Sequence, residues 1–168
     1  MALNLKKLRE VPGRVLPVAE VYAALPVAPE QAFVLRGNVS VQGRAVQRDR
    51  TVLLDLRIQA TAVQQCSRCL SDVISSLDWE EHLEFQPEES ESLWEREVFT
   101  YSLQDTELSL QPYIVGLISG VLDPKPLCRP DCKGLCPVCG QDLNIRDCGC
   151  VVRREGDPRL KVLKELLR

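Results

Sequence analysis

Histidine is nearly absent: the 168 residues contain one, His82, set among acidic neighbours. Its scarcity removes most ways of assembling a nucleophile–base pair, a general acid or an imidazole-rich metal site. Periodicity puts His82 on the polar face of a strand, where it reads as a surface residue. No phosphate-binding glycine loop, nucleophile elbow or His-Glu-x-x-His helix occurs. A non-enzymatic protein with no small-molecule substrate is therefore expected. Aromatic residues make up 5% of the chain. That is too few for a base-stacking platform, so a nucleic-acid partner would be held by backbone and shape. Long apolar runs are missing as well, and Lys6 and Lys7 interrupt the N-terminus before a signal-peptide core could form. The expectation is a cytoplasmic protein with no membrane span.

What is present suits a globular protein, with 45% hydrophobic and 27% charged residues. Eleven prolines and nine glycines leave little room for long helices. The net charge of −3 conceals segregation. Residues 1–57 carry 9 basic and 5 acidic side chains, residues 58–124 carry 2 and 13, and residues 125–168 carry 10 and 6. The two ends are thus basic and the centre strongly acidic.

Three segments alternate with period two. Phe33, Leu35, Val39 and Val41 share one face of the first. The second sets Val52, Leu54, Leu56, Ile58, Ala60 and Ala62 against Asp55, Arg57 and Gln59. The third sets Val73, Leu77, Trp79, Leu83 and Phe85 against Asp78, Glu80, His82 and Glu84. Each reads as a half-buried strand, and short connections make an antiparallel sheet the expectation. Gly43 to Arg50 reads as a polar turn or short strand between the first two. Residues 86–97 read as an acidic loop. Leu110, Ile114, Leu117, Ile118 and Val121 recur at helical spacing, with Ser109 as candidate cap and Pro112 in the first turn. Asp157-Pro158 opens a second amphipathic helix carrying Leu160, Leu163 and Leu167. The expected class is α+β: an antiparallel sheet or partial barrel with one packed helix over residues 1–122, a cysteine-rich zinc-binding segment over 123–152, and a terminal helix over 153–168.

The chemistry lies in eight cysteines, at positions 66, 69, 128, 132, 136, 139, 148 and 150. A two-residue gap lets both sulfurs of Cys-x-x-Cys reach one ion while the intervening amides turn toward the thiolates. Cys136-Pro-Val-Cys139-Gly140 fits that knuckle pattern, and Cys66-Ser-Arg-Cys69 falls where a hairpin tip belongs. In a reducing compartment such clusters favour metal over disulfides. A redox role for Cys66 and Cys69 is disfavoured because such pairs sit at helix N-termini. Iron–sulfur ligation is disfavoured by the knuckle-type sequence. Eight thiolates divide into two tetrahedral zinc sites. The preferred division joins Cys136, Cys139, Cys148 and Cys150 locally and leaves Cys66, Cys69, Cys128 and Cys132 to staple distant parts of the chain. In an alternative division, Cys132 joins Cys136 and Cys139, leaving Cys128 or Cys150 free.

With Cys66-Ser-Arg-Cys69-Leu70 between strands, the string Cys128-Arg-Pro-Asp-Cys132-Lys-Gly-Leu-Cys136-Pro-Val-Cys139-Gly-Gln-Asp-Leu-Asn144, and the closing Asp157-Pro158-Arg159-Leu160, the chain resembles the bacterial YceD family from about residue 30 onward. The resemblance implies a role in accumulation of large-subunit ribosomal RNA, as an assembly or processing factor. Ribosomal RNA precursors or ribosomal proteins are then the expected partners. The resemblance identifies no RNA-binding residue. Candidates from charge alone are Arg44, Arg48 and Arg50 in the first turn, Arg68 and Lys133 beside cysteines, and Arg153 and Arg154 after them. The alternative reading is a protein–protein adaptor that uses the acidic centre and terminal helix, with structural zinc only.

Overall fold

A computed structural model describes residues 3–11, 13–88 and 99–151. The elements in chain order are β1 (Leu3–Asn4), α1 (Leu5–Glu10), β2 (Val15–Tyr22), β3 (Phe33–Leu35), β4 (Val39–Arg48), β5 (Thr51–Gln65), β6 (Asp72–Pro87), β7 (Phe99–Tyr101), β8 (Glu107–Leu108) and α2 (Gln111–Val121). The class is α+β, dominated by sheet. The large sheet runs β2-β4-β5-β6-β7, with β3 also paired to β5, and β1 pairs β8 in a small second sheet.

The β5–β6 hairpin is the spine. Its strands pair from Val52↔Phe85 to Gln65↔Asp72. The apolar face expected for β5 is the buried one: Val52, Leu54, Leu56, Ile58, Ala60 and Ala62 are all buried. α1 contributes Leu5 and Leu8 to the same core, and α2 contributes Ile114 and Ile118. An aromatic knot joins helix to sheet. The Phe85 ring lies 5.2 Å from that of Phe99 and meets Tyr113 of α2 edge-on at 5.0 Å.

Several expectations need correction. The sheet is mixed, because β7 runs parallel to β6 with Phe85 opposite Phe99. Eleven residues separate Pro87 from Phe99, enough chain to return and re-enter in the same direction, as a parallel pair requires. Gly43 to Arg48 is strand and not turn: β4 continues to Arg48 and the reversal is confined to Asp49 and Arg50. Asp49 takes a φ of 53°, a left-handed value that Asp tolerates better than most residues. Ser109 does not cap α2; the cap position is Leu110, without a side-chain hydrogen bond. Gln86 and Pro87 belong to β6 and not to the acidic loop. The terminal helix expected after Asp157 lies outside the described residues.

Candidate metal centre

Cys66 and Cys69 occupy the turn between β5 and β6, at the far end of the hairpin from Asp49. The chain leaving α2 is brought to this tip by two bonds. Gln64 donates its side-chain amide to the Asp123 carbonyl at 3.0 Å, and the Ser67 N–H donates to the Pro126 carbonyl at 2.8 Å. Cys128 and Cys132 follow directly. The ligand atoms of Cys66, Cys69, Cys128 and Cys132 lie within 4.8 Å of one another, and those of Cys136, Cys139, Cys148 and Cys150 form a second such group. These are the two sets of the preferred division; Cys132 groups with the first.

The spacing matches a metal. An ion bonded at ~2.3 Å to four sulfurs at tetrahedral corners sets the sulfurs about 3.8 Å apart. Cys66 and Cys132 stand 3.8 Å apart, and Cys69 and Cys128 3.6 Å. A disulfide would need a contact near 2.0 Å. No cysteine is in a disulfide.

Backbone amides prepare the sulfurs for the anionic state. The N–H groups of Cys128, Cys69 and Arg68 donate to Cys66 and pull its pKa down to about 6. Those of Cys139 and Val138 lower Cys136 to about 7. The Ser71 hydroxyl contacts Cys69 Sγ at 3.1 Å and lowers that thiol as well. Cys150 is pushed up to about 12, chiefly by its contact with Cys148 and then Cys139. Cys128 rises to about 11: the Ser71 hydroxyl acts to lower it, but burial and the neighbouring thiols outweigh that effect. Close thiols thus release their first proton readily and their last reluctantly, the behaviour expected of a site completed by a cation.

The two knuckles share a backbone pattern. Cys66 N–H donates to the Ser71 carbonyl and Leu70 N–H to the Cys66 carbonyl. Likewise Cys136 N–H donates to Gln141 and Gly140 N–H to Cys136. Burial sets them apart. In the first group Cys66, Cys69 and Cys132 are buried and Cys128 is exposed, whereas in the second Cys136 alone is buried, Cys139 is exposed and Cys148 and Cys150 are half-buried.

The strap from Cys132 to Cys136 joins the groups. Leu135 N–H donates to the Arg68 carbonyl at 3.1 Å, and the Arg68 guanidinium donates to the Cys132 carbonyl at 2.7 Å. Gly134 has a φ of 77°, and a Cβ there would sit 3.0 Å from the Arg68 carbonyl oxygen. From the other side, Asn144 accepts from Lys133 N–H at 2.8 Å and donates to Cys132 Sγ at 3.4 Å. Asn144 closes the family-like string, yet nothing in its spacing marks it as a partner of Cys132.

Among the described residues, the basic candidates do not form one surface. Arg48 and Arg50 are exposed at the β4–β5 turn, while Arg68 and Lys133 lie at the cysteine tip. The length of β5 separates these ends by roughly 45 Å at strand rise. Arg44 is not in a turn; it projects from β4 and pairs with Asp55 at 2.7 Å, which also holds His82. Arg68 is drawn into the strap. Arg153 and Arg154 lie outside the described residues. Among the described residues, no helix is long and apolar enough to cross a membrane.

Comparison with known proteins places the chain in a family. The chain is 32% identical over 93 residues to an uncharacterised protein of Mycobacterium bovis and, at the same identity, to uncharacterised proteins of two strains of Mycobacterium tuberculosis. Those matches cover 55% of this chain and 45% of the relatives, so the chain spans less than half of their length. No solved structure matches. Residues 54–167, which include all eight cysteines, match the family described as large ribosomal RNA subunit accumulation protein YceD, and the chain belongs to that family.

Proposed function

We propose that each four-cysteine group holds one zinc ion and that the protein is a non-enzymatic, cytoplasmic factor supporting accumulation of large-subunit ribosomal RNA through contact with RNA or ribonucleoprotein. The observation that carries the metal reading is the convergence of two four-sulfur sets, each within 4.8 Å, the first with sulfur pairs at tetrahedral spacing. Four protein thiolates fill the coordination shell and leave no open position for a substrate or an activated water. Bound zinc would serve as a staple for the hairpin tip and the segment beyond α2. The family description supports the ribosomal RNA role.

Each zinc with four thiolates carries a local charge of −2, so loaded metal offsets the basic residues around the cysteines. RNA contact would therefore depend on individual Arg and Lys side chains, foremost Arg48 and Arg50, and not on net charge. A protein adaptor is the second reading, favoured by Glu80 on the exposed face of β6, although Asp78 beside it is already paired with Arg57.

Native mass spectrometry of the reduced, purified protein tests the metal reading. Two zinc ions per chain support it, one would require a different ligand set, and none would overturn it. RNA affinity measured across a salt series tests the partner. A steep decline that becomes shallower on charge reversal of Arg48 and Arg50 supports RNA contact. Partner binding that persists in RNase-treated extract, with no RNA affinity, supports the adaptor.

A further inference from the structure

The amide of Asn144 is oriented by its surroundings. Its Oδ1 accepts from the backbone N–H of Lys133, a group that can only donate, so the oxygen must face the strap and the NH2 must face the other way. That NH2 then meets Cys132 Sγ at 3.4 Å and Asp142 Oδ1 at 2.7 Å. Asp142 Oδ1 also accepts from the Asn144 N–H at 2.8 Å, which holds the loop in shape. Leu143 N–H reaches the Gly134 carbonyl at 2.9 Å, and Leu135 bridges Asp142.

Asn144 belongs to the loop between Cys139 and Cys148, which are sulfurs of the C-terminal group. Its side chain touches a sulfur of the N-terminal group. We infer that Asn144 is a positioning residue for the Cys132 thiolate and couples the two metal sites, so that filling the C-terminal site strengthens metal retention at the N-terminal one. The inference rests on the zinc reading proposed above. Closing the Cys139–Cys148 loop on its own metal fixes the residue that donates to Cys132. An N–H directed at a metal-bound thiolate disperses its charge and holds the ligand in place. Emptying the C-terminal site removes the Cys139 and Cys148 anchors and leaves that loop, and the donor, held by its hydrogen bonds to the strap alone. Linkage makes the coupling reciprocal.

The test uses the full chain loaded with NMR-active cadmium, whose two resonances are assigned with cysteine-pair variants. In the unmodified protein, a scalar coupling through sulfur from the N-terminal cadmium to the Asn144 side-chain amide protons is expected. Asn144→Asp keeps the acceptor for Lys133 and loses the donor to sulfur. It should shift the N-terminal cadmium resonance and speed release from that site to a chelator about tenfold. The double substitution Cys148→Ser, Cys150→Ser should speed it similarly. The coupling can be read even if a variant fails to fold. Two bound ions with no through-sulfur coupling, and an N-terminal release rate indifferent to the C-terminal site, would overturn the inference and leave the zinc reading standing. Failure to bind any metal would overturn both.

Discussion

Leu70 and Gly140 are structural equivalents: each lies four residues after the first cysteine of its knuckle, donates its N–H to that cysteine's carbonyl, and takes a left-handed φ, 62° and 73°. One position is filled by glycine and the other by leucine. A left-handed backbone costs a non-glycine residue about 1–2 kcal/mol, partly offset by the ~0.5–1 kcal/mol of extra freedom that glycine loses on folding.

Leu70→Gly should therefore stabilise the protein by up to about 1 kcal/mol. The leucine is 57% exposed and contributes little burial. Gly140→Leu should destabilise the C-terminal knuckle. Denaturant titration of metal-loaded protein checks both, and a Leu70→Gly variant weaker than its parent would sink the equivalence.

The metal sites should differ in their effect on the fold. Replacing Cys66 and Cys69 with serine should remove one zinc and lower the melting temperature sharply, since it opens a cross-link between residues far apart in sequence and leaves polar groups where the sulfurs were buried. Replacing Cys148 and Cys150 should remove the other zinc with a smaller effect on the sheet. Calorimetry beside metal analysis separates them.

Metal retention should depend on pH with a definite sign. Cys128 and Cys150, at about 11 and 12, carry protons at neutral pH that an incoming ion must displace. Zinc binding therefore releases protons, and affinity falls as pH falls. Chelator competition from pH 8 to pH 6 should show progressively easier removal.

The Arg57–Asp78 pair gives a second pH dependence. Two bonds from the guanidinium, then one from Gln59, hold the Asp78 carboxyl down at about 2 against an ordinary 3.8. A depressed carboxyl favours the folded state above the unfolded pKa, and that contribution is lost as pH falls from about 4 through 2. Asp78→Asn should flatten the acid-unfolding curve in that window. An unchanged curve would assign Asp78 no part in acid stability.

The aromatic knot should be costly to disturb. Phe85 is fully buried and touches both Phe99 and Tyr113, so Phe85→Ala should destabilise by about 3–5 kcal/mol. Hydrogen exchange should show β7 and α2 loosening together.

The hairpin and cysteine groups were legible because their signals are local: unbroken alternation in β5 and two-residue cysteine gaps. Residues 15–22 carry no clear alternation because both faces of β2 hold apolar residues: Leu16, Val18 and Tyr22 pack on the core, yet the outer face is apolar too. Glu20 points inward, accepting from the Tyr22 hydroxyl, while Val15 and Val21 face solvent. The six residues of α1 offer too few turns for a periodic signal. The parallel entry of β7 depends on a tertiary choice of the returning chain, made by the Phe85 and Phe99 rings. Arg44 looked available because a charge seen in sequence carries no record of its cross-strand neighbour, Asp55.

The N-terminal group draws two sulfurs from the hairpin turn and two from beyond α2, so neither half holds four donors. The four converge only when the hairpin is in register and the chain leaving the helix has docked at its tip. On the metal reading proposed above, an ion held by all four sulfurs there would require both approaches to be complete. A chain whose helix had slipped, with its sheet intact, would then lose the ion, and metal content would gauge how well the helix and the hairpin tip are joined.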